Sequence, residues 1–357
     1  MKAPLPPFSC THSPNVPELL NQLNCTLAIS TYQAGKVILI SAKDTNRLIQ
    51  LPRQFNKPMG LAVADDKLAI ATKDEVVILS NASKMAHNYP KKKNTYDAFF
   101  LPRTTYYTGA LDIHDLVWVN NEIWAVNTVF SCLIKLSQEY NFEPVWRPSF
   151  VPDYTPVDYC HLNGLAMEAG QPKYVSALGR SDKPDGWRKD KVNGGVIMDI
   201  TSDAIVAQGL GMPHSPRIIE KELFLLLSAT GELVRIDRNN GKVEVVKQLD
   251  GFVRGMTSHG DYLFIGLSKV RTTSSSFRDL PIAEKATSCG IAILHIPTLS
   301  IVGYIKYETS VEEIYDLRIL KNTSRPGLLN HEKSDHKIAL TSPVGDFWLI
   351  EDENNAG

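Results

Sequence analysis

The sequence predicts an all-β fold, a single β-propeller of four-stranded blades, and three observations carry that expectation. One short phrase returns six times, at residues 57–63, 112–118, 161–167, 213–218, 253–257 and 314–319, reading KPMGLAV, DIHDLVW, HLNGLAM, PHSPRI, VRGMT and IYDLRI. A period of roughly 40–55 residues marks a radial or solenoid array. After each phrase a second short apolar-alternating run follows within a few residues, and usually a third, which is the spacing of stacked antiparallel strands. Long helical periodicity is absent, so the chain does not alternate β with α.

In chain order, residues 1–17 form a Pro-rich arm and 18–24 a turn or two of helix, so 1–24 is read as an arm and 25–357 as the propeller. Runs at 27–31, 37–41 and 47–51 come next. Second strands are expected at 67–72, 122–127, 173–178, 222–228, 261–267 and 336–341, and third strands at 76–80, 132–136, 195–200, 233–237, 290–295 and 346–350. Fourth strands are visible at 204–208, 243–248 and 301–306. The last unit lacks a fourth strand while the N-terminal segment carries a surplus, so N-terminal strands are expected to complete the ring and remove its open edges. Six blades are favoured, or seven if the N-terminal hairpin makes a blade of its own.

Composition excludes several functions. The 357 residues are 43% hydrophobic and 22% charged with net charge −1, enough for a core but no basic field for nucleic acid or an anionic membrane. The run Lys91-Lys92-Lys93 lies in a polar stretch and reads as a solvated loop. The N-terminus has no apolar leader core, and no stretch approaches a membrane span. Five scattered cysteines without a CxxC argue against a disulfide framework or structural zinc, so a reducing, cytoplasmic setting is expected.

The longest loops between second and third strands, 179–194 and 268–288, should emerge on the face where the inner strands begin. The first brings Arg180, Trp187 and Arg188, expected to bind substrate; the second brings Arg271, the run from Thr272 to Ser276, Arg278 and Asp279.

If each phrase is an inner strand, Met59, His114, Asn163, His214, Arg254 and Tyr315 ring the central channel. Strand alternation adds Asp112, His161 and Glu313, each two residues before a ring member. The intervening Asp115 and Asp316 should point between blades, satisfying backbone N–H groups or pairing with Arg318. Three histidines from consecutive blades, His114, His161 and His214, suggest a divalent transition metal (iron, zinc, copper or manganese) with an open position. Asp112, Glu313 and Tyr315 are then the catalytic candidates, and Asn163 and Arg254 hold a small polar or peptidic substrate for hydrolysis or oxidation. The alternative is a non-catalytic propeller that binds a polar metabolite or peptide, or a protein partner, on the same face, with Arg254 clamping a carboxylate. No GxxxxGK[ST] or GxSxG occurs, and Trp118 and Trp124, at strand spacing, read as core.

The segments CHLNGLA (160–166), GMPHSPR (211–217), STYQAGK (30–36) and ALGRSD…GWR (177–188) together resemble a family of bacterial conserved hypothetical proteins carrying a domain of unknown function. That family is sometimes linked to tetratricopeptide repeats or encoded beside modifying enzymes. The resemblance spans nearly the whole chain and implies a stand-alone propeller-like domain; it brings no substrate and no catalytic residue.

Overall fold

The computed structural model describes residues 4–270 and 277–349. Six antiparallel blades surround a channel, and each repeated phrase supplies an innermost strand: Leu61–Ala64, Ile113–Val119, Leu162–Glu168, Pro213–Ile219, Phe252–His259 and Asp316–Lys321, in blades one to six. The count of six and the four-stranded blade stand as expected.

Closure runs through the N-terminus. Asp316–Lys321 pairs with Cys25–Thr31, which pairs with Lys36–Ala42, which pairs with Leu48–Gln54. The strands expected at 336–341 and 346–350 as the second and third of blade six are therefore corrected. They form a separate hairpin of Ala339–Ser342 and Gly345–Trp348. The reason is burial: Cys25–Thr31 is buried along all seven residues, whereas only Ala339 of Ala339–Ser342 is. Pairing the N-terminal strand also covers the outward edge of Asp316–Lys321.

The Pro-rich arm packs on the ring. Cys10–His12 adds a fifth strand to the outer edge of blade five. The short helix lies at Val16–Gln22, two residues earlier than expected, with Pro17 in its first turn, where a missing N–H costs nothing. Its buried Val16, Leu19 and Leu20 join a core shared by blades five and six that includes Ile29, Phe264 and Leu317. Similar apolar layers fill the other gaps between blades, and Trp118 and Trp124 pack against two of them. No cysteine is in a disulfide. Among the described residues no helix is long and apolar enough to cross a membrane.

Candidate functional site

The step after each ring residue alternates around the channel: Gly60, Asp115, Gly164, Ser215, Gly255, Asp316. Each glycine abuts the next blade's step. A Cβ on Gly60 would lie 3.0 Å from the Asp115 Cα, one on Gly164 2.9 Å from the Ser215 nitrogen, and one on Gly255 3.0 Å from the Asp316 Cα. The side chain of each non-glycine step accepts an N–H from the following blade: Leu165 to Asp115, Gly255 to Ser215, Leu61 to Asp316. Asp115 and Asp316 thus satisfy backbone N–H groups, and Arg318 pairs with Asp316 at 2.6 Å, as expected. Their direction is corrected, however. Asp115 also meets Arg318 at 2.8 Å and Arg217 at 3.1 Å. These residues stand on blades two, four and six, which are not neighbours, so their contacts cross the channel and close it.

Above this floor the ring residues converge. The His114 ring packs edge to face with His161 (4.8 Å between centroids) and Tyr315 (5.6 Å). The Arg254 guanidinium carbon lies over the Tyr315 ring, 3.4 Å from its centroid. His214 packs against Phe252, and Met59 is buried in the same ring.

Hydrogen bonds fix the imidazoles. His214 Nδ1 lies 2.8 Å from the Met212 carbonyl and 2.7 Å from Ser228 Oγ, whose own hydrogen goes to the Val253 carbonyl. His114 Nδ1 has the same surroundings: the Asp112 carbonyl at 2.8 Å and Thr128 Oγ1 at 2.9 Å, which donates to the Leu162 carbonyl. Both Nδ1 atoms therefore carry the proton, and Nε2 keeps the lone pair. Burial lowers the His114 pKa to about 4 against the pull of Asp112, and burial together with Arg254 holds His214 well below its usual value. His161 differs in having a carboxylate partner. Its Nδ1 donates to Asp158 at 2.7 Å, and the same oxygen accepts the Trp187 indole N–H at 2.9 Å. Burial pushes the Asp158 carboxyl up, but the His161 hydrogen bond and charge and the Trp187 bond more than offset it.

Three buried polar atoms of this ring have no hydrogen-bond partner among the described residues: an Arg254 terminal nitrogen, the Tyr315 hydroxyl and the Asn163 amide nitrogen. Two are obligate donors. Burial raises the Tyr315 phenol well above its usual value despite Arg254, so it too keeps a proton to donate.

The channel opens into a cavity of about 550 Å³ beside Trp187, Arg188, Lys269, Val270 and Phe277. Trp187, Phe252, Phe277 and Met212 give it an apolar wall, and Arg188, Arg254 and Lys269 face it against the carboxylate of Glu313. Glu313 accepts the Gln33 backbone N–H. Trp187 is buried against the His161 ring at 4.2 Å, and Arg188 stacks on its outer face. Arg180 is not among the lining residues; it is exposed and stands over Phe150. Asp112 is about half exposed, 3.8 Å from His114. Arg271 and the run from Thr272 to Ser276 lie outside the described residues.

The three channel histidines do not stand as a preformed metal centre. Among the described residues no three His, Cys, Asp or Glu side chains are arranged to hold a cation, and His114 and His161 pack against each other edge to face.

Sequence reasoning missed Asp158, Phe252, Phe277 and the hydroxyls of Thr128 and Ser228. A signal for the hydroxyls existed. A Ser or Thr recurs near the end of the second strands, at Ser30, Thr128, Ser176, Ser228 and Ser268, each bonded to the backbone of a neighbouring inner strand.

A family model described as domain of unknown function (DUF4915) matches residues 14–329. No curated protein matches the sequence at a significant level. Among solved structures, one titled as a nidogen/laminin complex aligns with a TM-score of 0.54 at 11% identity, covering 84% of this chain and 99% of that one. At that identity the likeness concerns the fold alone.

Proposed function

The chain belongs to the DUF4915 family of β-propellers, and we propose that it binds a small organic anion, a carboxylate on an apolar body, at the channel mouth. The observation that carries this reading is the unpartnered buried donor of Arg254 in the cavity wall, over the ring of Tyr315, whose hydroxyl is also unpartnered. A buried donor without an acceptor costs about 1–3 kcal/mol, more when charged. Donors left open at and beside a cavity wall call for a ligand with acceptor oxygens. Arg254 is the cation for the carboxylate, held in place by the Tyr315 ring beneath it. The Trp187, Phe252 and Phe277 wall suits an apolar or aromatic remainder. Arg188 and Lys269 at the cavity add positive potential that steers anions inward.

Calorimetry with 4-phenylbutanoate and its neutral amide tests this. The acid should bind and the amide should bind at least tenfold more weakly, the loss of one charged hydrogen bond of about 1.5–3 kcal/mol. Equal binding of the two, or none, would remove the anion reading.

A further inference from the structure

We infer that the site also turns its ligand over, with His161 as a general base that takes a proton from the carbon beside the carbonyl of a 2-oxo carboxylate. This rests on the anion-binding reading and adds a reaction to it.

The geometry has three parts. First, His161 alone of the channel histidines is held by a carboxylate. Asp158 accepts its Nδ1–H at 2.7 Å and its backbone N–H at 2.8 Å, which fixes the tautomer and leaves Nε2 as the basic atom. The Trp187 indole N–H ties down the same carboxylate, and the His161 ring sits between Trp187 and His114, so it cannot swing away. Second, His161 lines the same cavity as Arg254. Third, with Arg254 on the carboxylate, the hydroxyl of Tyr315, whose ring lies against that guanidinium, remains as an unpartnered donor for one further oxygen. A carbonyl next to the carboxylate provides that oxygen, and donors placed there stabilise negative charge as it develops.

The step balances without any other reactant. The C3–H bond breaks and its proton goes to His161 Nε2. The electron pair forms the C2–C3 double bond as the carbonyl π electrons move onto oxygen, giving an enolate hydrogen-bonded to Tyr315. The imidazolium is stabilised by Asp158 and returns a proton to carbon. Asp158 is a positioning residue; His161 is the catalytic one.

The test follows loss of the C3 proton signal of 2-oxo-4-phenylbutanoate in D2O by NMR, with calorimetric binding of 4-phenylbutanoate as a parallel readout. The wild type should exchange faster than the protein-free blank. His161→Ala and Asp158→Asn should each lose on the order of 100-fold or more of that rate while still binding 4-phenylbutanoate. Exchange at the blank rate in a wild type that binds both acids would overturn the inference and leave the anion site standing. Wild-type exchange rates in His161→Ala would overturn it as well. Failure of the 2-oxo acid alone to bind would overturn the inference and leave the anion site standing, and failure of 4-phenylbutanoate to bind would remove both readings together.

Discussion

The Nδ1 of His214 lies 2.7 Å from Ser228 Oγ, and the Nδ1 of His114 lies 2.9 Å from Thr128 Oγ1, the same relation at the same separation of fourteen residues. In both, the hydroxyl passes its hydrogen to a carbonyl of the next blade, so it can only accept from the ring. The pair is a repeated device that locks a neutral, Nδ1-protonated imidazole into the channel.

A pH dependence follows. His114 has a folded pKa of about 4 against an ordinary value of 6.5, so the unfolded chain binds the proton first as pH falls. Its stabilising contribution is complete above pH 6.5 and is lost as pH drops through 4. The difference corresponds to about 3 kcal/mol at roughly 1.4 kcal/mol per pH unit. Thermal unfolding midpoints should fall over that window, and His114→Gln should flatten the fall. An unchanged profile in the variant would show that His114 does not titrate this way.

The closed floor of the channel gives a stability prediction. Asp115 touches two arginines and two backbone N–H groups with its side chain buried. Asp115→Asn leaves Arg217 and Arg318 under-compensated, and breaking a buried pair in this way costs about 3–5 kcal/mol. Urea denaturation measures it; a loss under about 1 kcal/mol would mean that water relieves the cluster.

Gly164→Ala tests the close approach of adjacent inner strands. Its Cβ would fall 2.4 Å from Cδ of the Pro216 ring and 2.9 Å from the Ser215 backbone nitrogen, neither of them the far end of a flexible side chain. Overpacking of this kind costs about 1–3 kcal/mol. The control is Gly170→Ala, where nothing stands within 4 Å; its left-handed backbone makes it mildly unfavourable, and the Gly164 variant should be the less stable of the two.

Elemental analysis of protein purified without chelator addresses iron, zinc, copper and manganese. Because no three His, Cys, Asp or Glu side chains among the described residues are arranged to hold a cation, and His114 packs edge to face on His161, we expect no stoichiometric metal. One equivalent that disappears in the His114/His161/His214 triple alanine variant would restore the three-histidine centre.

Much of this architecture was legible in the sequence because each inner strand carries its own phrase. Aligning the phrases put His114, His214, Arg254 and Tyr315 at one channel and strand alternation added His161; the structure joins His114, His161, Tyr315 and Arg254 by ring contacts and sets His214 in the cavity wall with His161 and Arg254. The ring closure was half legible. A surplus of N-terminal strands was plain, but 336–341 alternates as a strand does, and only burial decides that Cys25–Thr31 takes the second place in blade six. Asp158 escaped because its partnership with His161 depends on a left-handed turn at residues 158–161, which alternation does not describe. Arg180 and Arg188 looked equivalent within one loop, yet Arg188 stacks on Trp187 at the cavity and Arg180 turns to Phe150. Period and polarity locate the ring; loop side chains are placed by contacts distant in sequence.

The most direct test of the anion site is calorimetric titration of 4-phenylbutanoate into wild-type protein and Arg254→Gln. The account predicts a weaker Kd in the variant by roughly 10- to 100-fold, the worth of a charged hydrogen bond of about 1.5–3 kcal/mol, with the apolar wall intact. An unchanged Kd would contradict it, because the carboxylate would then be held somewhere other than at Arg254.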